Sequence, residues 1–152
     1  MPSIHPRLSL LASALLLVLV AVAAPLAARA ADTCSLISKS QITAVTGDPV
    51  NSASPGPKDC IWSGKHSTIY ITTRDSSTWA TAKSAFQKYG QIESVSGVGS
   101  DAFFLGPDNP KPTLYALKGA HYIILRVNVT GFSADQTKAA LKTLAGQALA
   151  GL

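Results

Sequence analysis

The chain has 152 residues, 13 Lys and Arg against 8 Asp and Glu, and only 14% charged residues, for a formal charge of +5. So mild an excess of cations falls short of a nucleic-acid footprint, and there is material for a single domain rather than two. With one glutamate, two cysteines and three histidines, the chain is also poor in the side chains that make hydrolytic or metal centres.

The N-terminus reads as an export signal. His5 and Arg7 precede a nearly unbroken Leu, Val and Ala run from 8 to 24, Pro25 breaks it, and Ala28-Arg29-Ala30 places small residues where a signal peptidase reads. Residues 1–30 are therefore expected to be removed by cleavage between Ala30 and Ala31, leaving 31–152 as one extracytoplasmic domain. The rival is an uncleaved anchor, since the apolar stretch approaches the roughly 20 residues that span a bilayer. That segment is the one route to a membrane that the sequence offers. Arg7 and Arg29 leave with it while all 8 acids stay, so the mature charge falls to +3.

Cys34 follows the signal closely and admits three fates. Lipidation calls for a small residue directly before the cysteine and a Leu-like residue three before it, but Thr33 and Ala31 stand there. A reactive thiol needs a basic neighbour or a C-x-x-C spacing, and neither is present. The remaining fate is a structural disulfide with Cys60, the one other cysteine, formed in an oxidising compartment. Closing a loop of about 25 residues stabilises a fold by roughly 3 kcal/mol on the chain-entropy model.

Ser38-Lys39-Ser40-Gln41 is a capping box, flanked by Ile37 and Ile42 at staple spacing, and it opens a helix that Gly47 stops. Residues 51–57, rich in Ser, Pro and Gly, predict a surface loop. Strands are expected at 59–63 and 67–74 around a two-residue Gly64-Lys65 turn. Ile69, Ile71 and Thr73 would face one way, and Thr68, Tyr70 and Thr72 the other. A second helix is expected over 77–89, with Trp79, Ala82, Phe86 and Tyr89 on its apolar face and Gly90 ending it. Residues 94–100 read as turns, and 101–105 and 113–117 as short strands. The strongest strand signal is 120–130, where Ile123, Leu125, Val127 and Val129 alternate with Tyr122, Ile124, Arg126 and Asn128. A second capping box, Ser133-Ala134-Asp135-Gln136, opens the last helix, whose face is Leu141, Leu144, Ala145, Ala148 and Leu152. The expected class is α+β, an antiparallel sheet of about five strands with three helices and one disulfide.

The stretches C-S-L-I-S-K-S-Q-I-T-A-V-T-G at 34–47, C-I-W at 60–62, S-G-V-G-S-D-A-F-F at 96–104 and L-Y-A-L-K-G-A-H-Y at 114–122 resemble small exported bacterial domains of unknown function, best known among actinobacterial lipoproteins and kinase sensor domains. The resemblance spans nearly the whole mature chain. It implies a PsbP/Mog1-like sheet with helices on its faces and a Cys34–Cys60 bond, and it carries over no catalytic residue. The chain departs from the lipoprotein members in having no lipobox.

No catalytic signature emerges from the residues themselves. There is no G-x-S-x-G and no Ser three residues before a Lys. Gly97-Val98-Gly99 is a turn, since a dinucleotide fingerprint needs a third glycine and a strand-to-helix context. Asn128-Val129-Thr130 fits a glycosylation sequon but falls on a strand. His66 and His121 each follow an expected hairpin turn, where an exposed imidazole is the plain reading, and neither a metal nor a cofactor is expected. The feature worth keeping is the non-core row of the sheet, in which Tyr70, Thr72, Tyr115, Tyr122, Arg126 and Asn128 share one face if their strands are neighbours. Tyr and Arg favour interfaces because they combine large contact area with a polar tip. The expected function is non-enzymatic binding of a small ligand, an envelope component or a protein, with no nucleic-acid partner. The alternatives are an inhibitor of a secreted hydrolase and an envelope-acting hydrolase using His66 or His121.

Overall fold

The computed structural model describes residues 32–106 and 108–152. The export signal and its Ala30–Ala31 cleavage point lie outside the described residues.

Asp32 caps a single 3-10 turn, Thr33–Leu36, which carries Cys34. Helix α1 (Lys39–Thr46) follows, and both halves of its expected capping box are formed. The Gln41 backbone N–H donates to Ser38 Oγ at 3.2 Å, and the Ser38 N–H to Gln41 Oε1 at 2.8 Å. Gly47 ends the helix with φ +71°, a left-handed conformation that a Cβ would penalise. Strands β1 (Val50–Pro55), β2 (Asp59–Gly64) and β3 (Ser67–Asp75) lead to a 3-10 turn at Ser76–Thr78 and helix α2 (Trp79–Lys88). Strands β4 (Ile92–Ser94), β5 (Asp101–Leu105), β6 (Thr113–Lys118) and β7 (His121–Val129) precede the last helix, α3 (Ala134–Ala150), which also opens on a complete capping box.

The class is α+β, with three α-helices among the described residues and one antiparallel sheet in the order β1-β2-β3-β7-β6-β5-β4. The sheet has seven strands, not about five. Strand β1 escaped notice because only Val50 of its six residues is buried, so this edge strand carries no alternating apolar signal. Strand β4 is three residues long, too short for any period to show. The β2–β3 turn is also corrected, from Gly64-Lys65 to Lys65-His66. Gly64 ends β2, and the Asp48 carboxylate and Ser67 hydroxyl crowd the position a Cβ would take there, which favours glycine.

Register sorts the side chains onto two faces. The inner face carries Cys60, Trp62, Ile69, Ile71, Leu125 and Val127, all at most 1% exposed, and α3 covers it with Leu141, Leu144, Ala145 and Ala148. Leu36, Ile37 and Ile42, from the 3-10 turn to α1, join the same core. A disulfide from Cys34 to Cys60, with Cα atoms 5.1 Å apart, ties that N-terminal segment to β2.

The outer face is different. Its central rungs read Thr72–Ile124–Tyr115–Phe103 and Tyr70–Arg126–Thr113–Leu105 across β3, β7, β6 and β5. Helix α2 packs over one part of it, building a second core from Trp79, Phe103, Tyr115 and Tyr122 with Phe86 against them.

The disulfide closes a segment with a sequence separation of 26. Chain entropy puts its contribution at about 3.5 kcal/mol, so Cys60→Ser should lower Tm by on the order of 10 °C in thermal denaturation followed by circular dichroism. The same drop is expected when the unmutated protein is measured in reductant.

Candidate functional site

The residues singled out from the sequence do share the outer face, and α2 divides them. Tyr122 is 5% exposed, lies under the helix, and shares a 3.1 Å hydrogen bond with the Thr78 hydroxyl. Its ring stands 5.3 Å from the Trp79 indole in an edge-on arrangement. Tyr115 sits at the boundary, stacked on Phe103 at 4.9 Å and tilted against Phe86 at 5.6 Å. Tyr70, Thr72 and Arg126 lie beyond the helix, and Tyr70 is 38% exposed. Asn128 faces the same side at the far end of β7, paired with Thr68 on β3.

Two interactions hold α2 where it is. Lys83 reaches both oxygens of Asp101 at 2.8 and 2.7 Å, and the Trp79 indole N–H donates to Asp101 Oδ2 at 3.0 Å. Burial resists the charge on Asp101, but the Lys83 ammonium and the two hydrogen bonds prevail and hold its carboxyl below the ordinary value. Tyr89, expected on the apolar face of this helix, falls past its end and is 71% exposed. Gly90 turns the chain there.

What α2 leaves uncovered is a depression of about 220 Å³ lined by Tyr70, Thr72, Arg74, Tyr115, Ile124 and Arg126. Arg74 and Arg126 lie close enough to the Tyr115 phenol to favour its ionised form. Burial acts more strongly in the opposite sense and, with the neighbouring Tyr122, raises its pKa. Neither guanidinium has a carboxylate partner among the described residues, where the ion pairs are Lys83–Asp101 and Lys138–Glu93. Of the nearby acids, Asp75 accepts the Ser77 N–H at the start of the 3-10 turn, and Asp59, opposite Thr72 on β2, packs against Gly56 in the β1–β2 turn. Arg74 was not singled out from the sequence. It belongs to the same alternating row as Tyr70 and Thr72, so extending that row by one step would have found it.

Two other depressions flank the sheet. One, of about 490 Å³, lies at the β2–β3 turn, with Lys65, His66, Thr68, Lys111 and Asn128 among its lining residues. The other, of about 300 Å³, includes Asp32, Lys58, Arg74, Asp75 and His121. The first draws its cations from turns and a loop, and the second mixes both signs of charge. The Arg74–Arg126 depression is the smallest of the three. Its polar groups come from neighbouring strands, which position side chains more firmly than loops do, and no acid lines it.

The two histidines do not converge. Ser67 pairs with Val129 at one end of the β3–β7 ladder, and Asp75 with His121 at the other. His66 and His121 are thus separated by about 30 Å of strand, too far to share a metal or a substrate. Asp48, His66 and Ser67 do cluster, in a set that the sequence reading missed because Asp48 is 18 residues from His66. The Asp48 carboxylate accepts the His66 backbone N–H and the Ser67 hydroxyl, each at 2.7 Å. These two bonds, led by the backbone one, hold the Asp48 carboxyl below its ordinary value. Ser67 is 4% exposed, and its hydroxyl is bound to the carboxylate rather than to an imidazole. Nucleophilic catalysis needs the imidazole between the two, so this arrangement ties a turn and does not activate a nucleophile. Among the described residues no three metal-ligating side chains come together.

No family model matches the chain, and no curated protein or solved structure matches it either.

The lowered Asp101 pKa sets the sign of a stability test. A carboxyl depressed in the folded state contributes stability above its unfolded value, and that contribution is lost as pH falls through the folded one. Asp101→Asn should therefore lower Tm at pH 7, with the gap from the unmutated protein narrowing progressively below about pH 4. Thermal melts across that range check both halves.

Proposed function

We propose that this protein is an exported, non-enzymatic binding module whose ligand docks on the open part of the outer sheet face. The observation that carries this reading is the uncovered Tyr70–Thr72–Arg74–Tyr115–Arg126 surface beside a helix that seals the rest of the face. It presents aromatic and guanidinium groups, the types that carry binding energy at recognition surfaces. At about 220 Å³ the depression is below the usual range for drug-sized ligands, so it suits one small group of a larger ligand. Export is supported by the disulfide and by the signal pattern at residues 1–30. A relationship to the exported bacterial sensor-type domains belongs to the same proposal. The separation of His66 from His121, and the Ser67 hydroxyl held by Asp48, favour binding over hydrolysis.

The test is native mass spectrometry of the protein incubated with an envelope extract from its own host. The unmutated protein should start at Ala31, show the two-dalton deficit of one disulfide, and retain a bound species that is released with its mass unchanged. Thr72→Trp, which fills the depression from a half-buried position, should lose that species while keeping its Tm. A bound species retained equally by Thr72→Trp would place the ligand elsewhere. Turnover of an extract component that disappears with His66→Ala or His121→Ala would replace the binding reading with an enzymatic one.

A further inference from the structure

Resting on the open face as the binding surface, we infer that the ligand presents a phosphate-type oxyanion, a monoester or diester, which Arg74 and Arg126 hold between them. Arg126 stands opposite Tyr70 across the β3–β7 ladder, and Arg74 lies four residues further along β3, with Thr72 between them on the same face. Four residues along and one strand across puts the two Cα atoms about 14 Å apart, a span two extended arginines can close over a bound group. Both line the same depression, as does the Tyr115 phenol.

Two guanidinium groups without a carboxylate repel each other unless an anion sits between them. Here Asp75 accepts the Ser77 N–H and Asp101 holds Trp79 and Lys83, while Asp59, opposite Thr72 on β2, and Asp32, which shares a depression with Arg74, form no ion pair with either guanidinium. The planar fork of arginine matches tetrahedral oxyanions through paired N–H donors, and two forks supply the charge for a phosphate. The neighbouring hydroxyls complete the donor set. Tyr115 offers its phenol O–H, and Thr72 and Tyr70 offer two more hydroxyls. Arg74 also borders the depression that contains Lys58 and His121 together with Asp32 and Asp75, so polar groups of both signs continue along the surface for the rest of a larger phosphorylated ligand.

The phosphate could belong to a soluble ester or to a lipid headgroup, and the experiment separates them. Isotope-labelled protein is titrated with sn-glycerol 3-phosphate at constant ionic strength, with glycerol plus sodium chloride as the control. Saturable shifts of the Tyr70, Thr72 and Arg126 amides are expected. Arg74→Gln and Arg126→Gln should each weaken binding by about tenfold or more, as loss of a charge-assisted pair implies. Both side chains are exposed, so neither substitution disturbs the fold, and unchanged melting curves verify this. Arg126→Lys, which keeps the charge and loses the fork, should fall between Gln and the unmutated protein. Vesicles of phosphatidylglycerol diluted in phosphatidylcholine form the second arm. Co-sedimentation lost in both Gln variants assigns the phosphate to a headgroup, and glycerol phosphate binding without co-sedimentation assigns it to a soluble ester. The inference is overturned if neither probe binds saturably, or if binding is indifferent to both Gln substitutions. A neutral extract component that Thr72→Trp displaces, and that glycerol phosphate fails to displace, would leave the binding surface standing and remove the oxyanion from it.

Discussion

Everything distinctive about the outer face follows from where Trp79 is held. Its indole lies 5.3 Å from both the Phe103 and Tyr122 rings, and its N–H is fixed by the Asp101 carboxylate. The carboxylate is in turn locked by Lys83, one turn further along the same helix. An apolar platform, an indole and a charge-assisted clamp together fix a helix whose intrinsic stability is small, since ten residues are fewer than an isolated helix needs in water. Geometry then limits what that helix can shelter. Ten residues make a rod of about 15 Å, while seven strands span roughly 29 Å across the sheet. One helix of this length cannot cover such a face.

The side chains follow that division. Under α2 the sheet supplies Phe103, Tyr115 and Tyr122, all nearly buried. Beyond it, β3 and β7 supply Tyr70, Thr72, Arg74 and Arg126, which combine aromatic, hydroxyl and cationic groups around Ile124. Strand β7 makes the transition within one row, from Tyr122 through Ile124 to Arg126 and Asn128. The inner face shows no such gradient. There α1 and α3 close one continuous core, and the disulfide fastens the segment that enters it. The inner face thus carries the larger core, and the open part of the outer face is where recognition is proposed.

The parts of this architecture legible in the sequence are those with strong local chemistry. Both capping boxes form with both of their hydrogen bonds, because a Ser hydroxyl and a Gln amide three residues apart satisfy backbone donors without help from the rest of the fold. The alternation on β7 was equally readable, since the core rejects polar groups from one side of a central strand. Strands β1 and β4 were not readable. An edge strand needs a neighbour's backbone more than it needs apolar side chains, and V-N-S-A-S-P holds its place through ladder bonds to β2. The Tyr and Arg row was visible as a row. Which members would be sealed under α2 depended on the Trp79–Asp101 contact, 22 residues apart, which no local pattern encodes. The Asp48 clasp on the β2–β3 turn was hidden for the same reason.

The division of the outer face can be measured directly through its tyrosines. The chain has 4, and they sample the surface unequally: Tyr70 and Tyr89 are 38% and 71% exposed, Tyr115 and Tyr122 are 7% and 5%. Tetranitromethane treatment of the native, oxidised protein, followed by peptide mapping, should nitrate Tyr89 and Tyr70 readily and leave Tyr122 unmodified until the protein unfolds. Nitration of Tyr122 at the rate of Tyr70 would contradict the account, because it would mean that α2 does not seal the face.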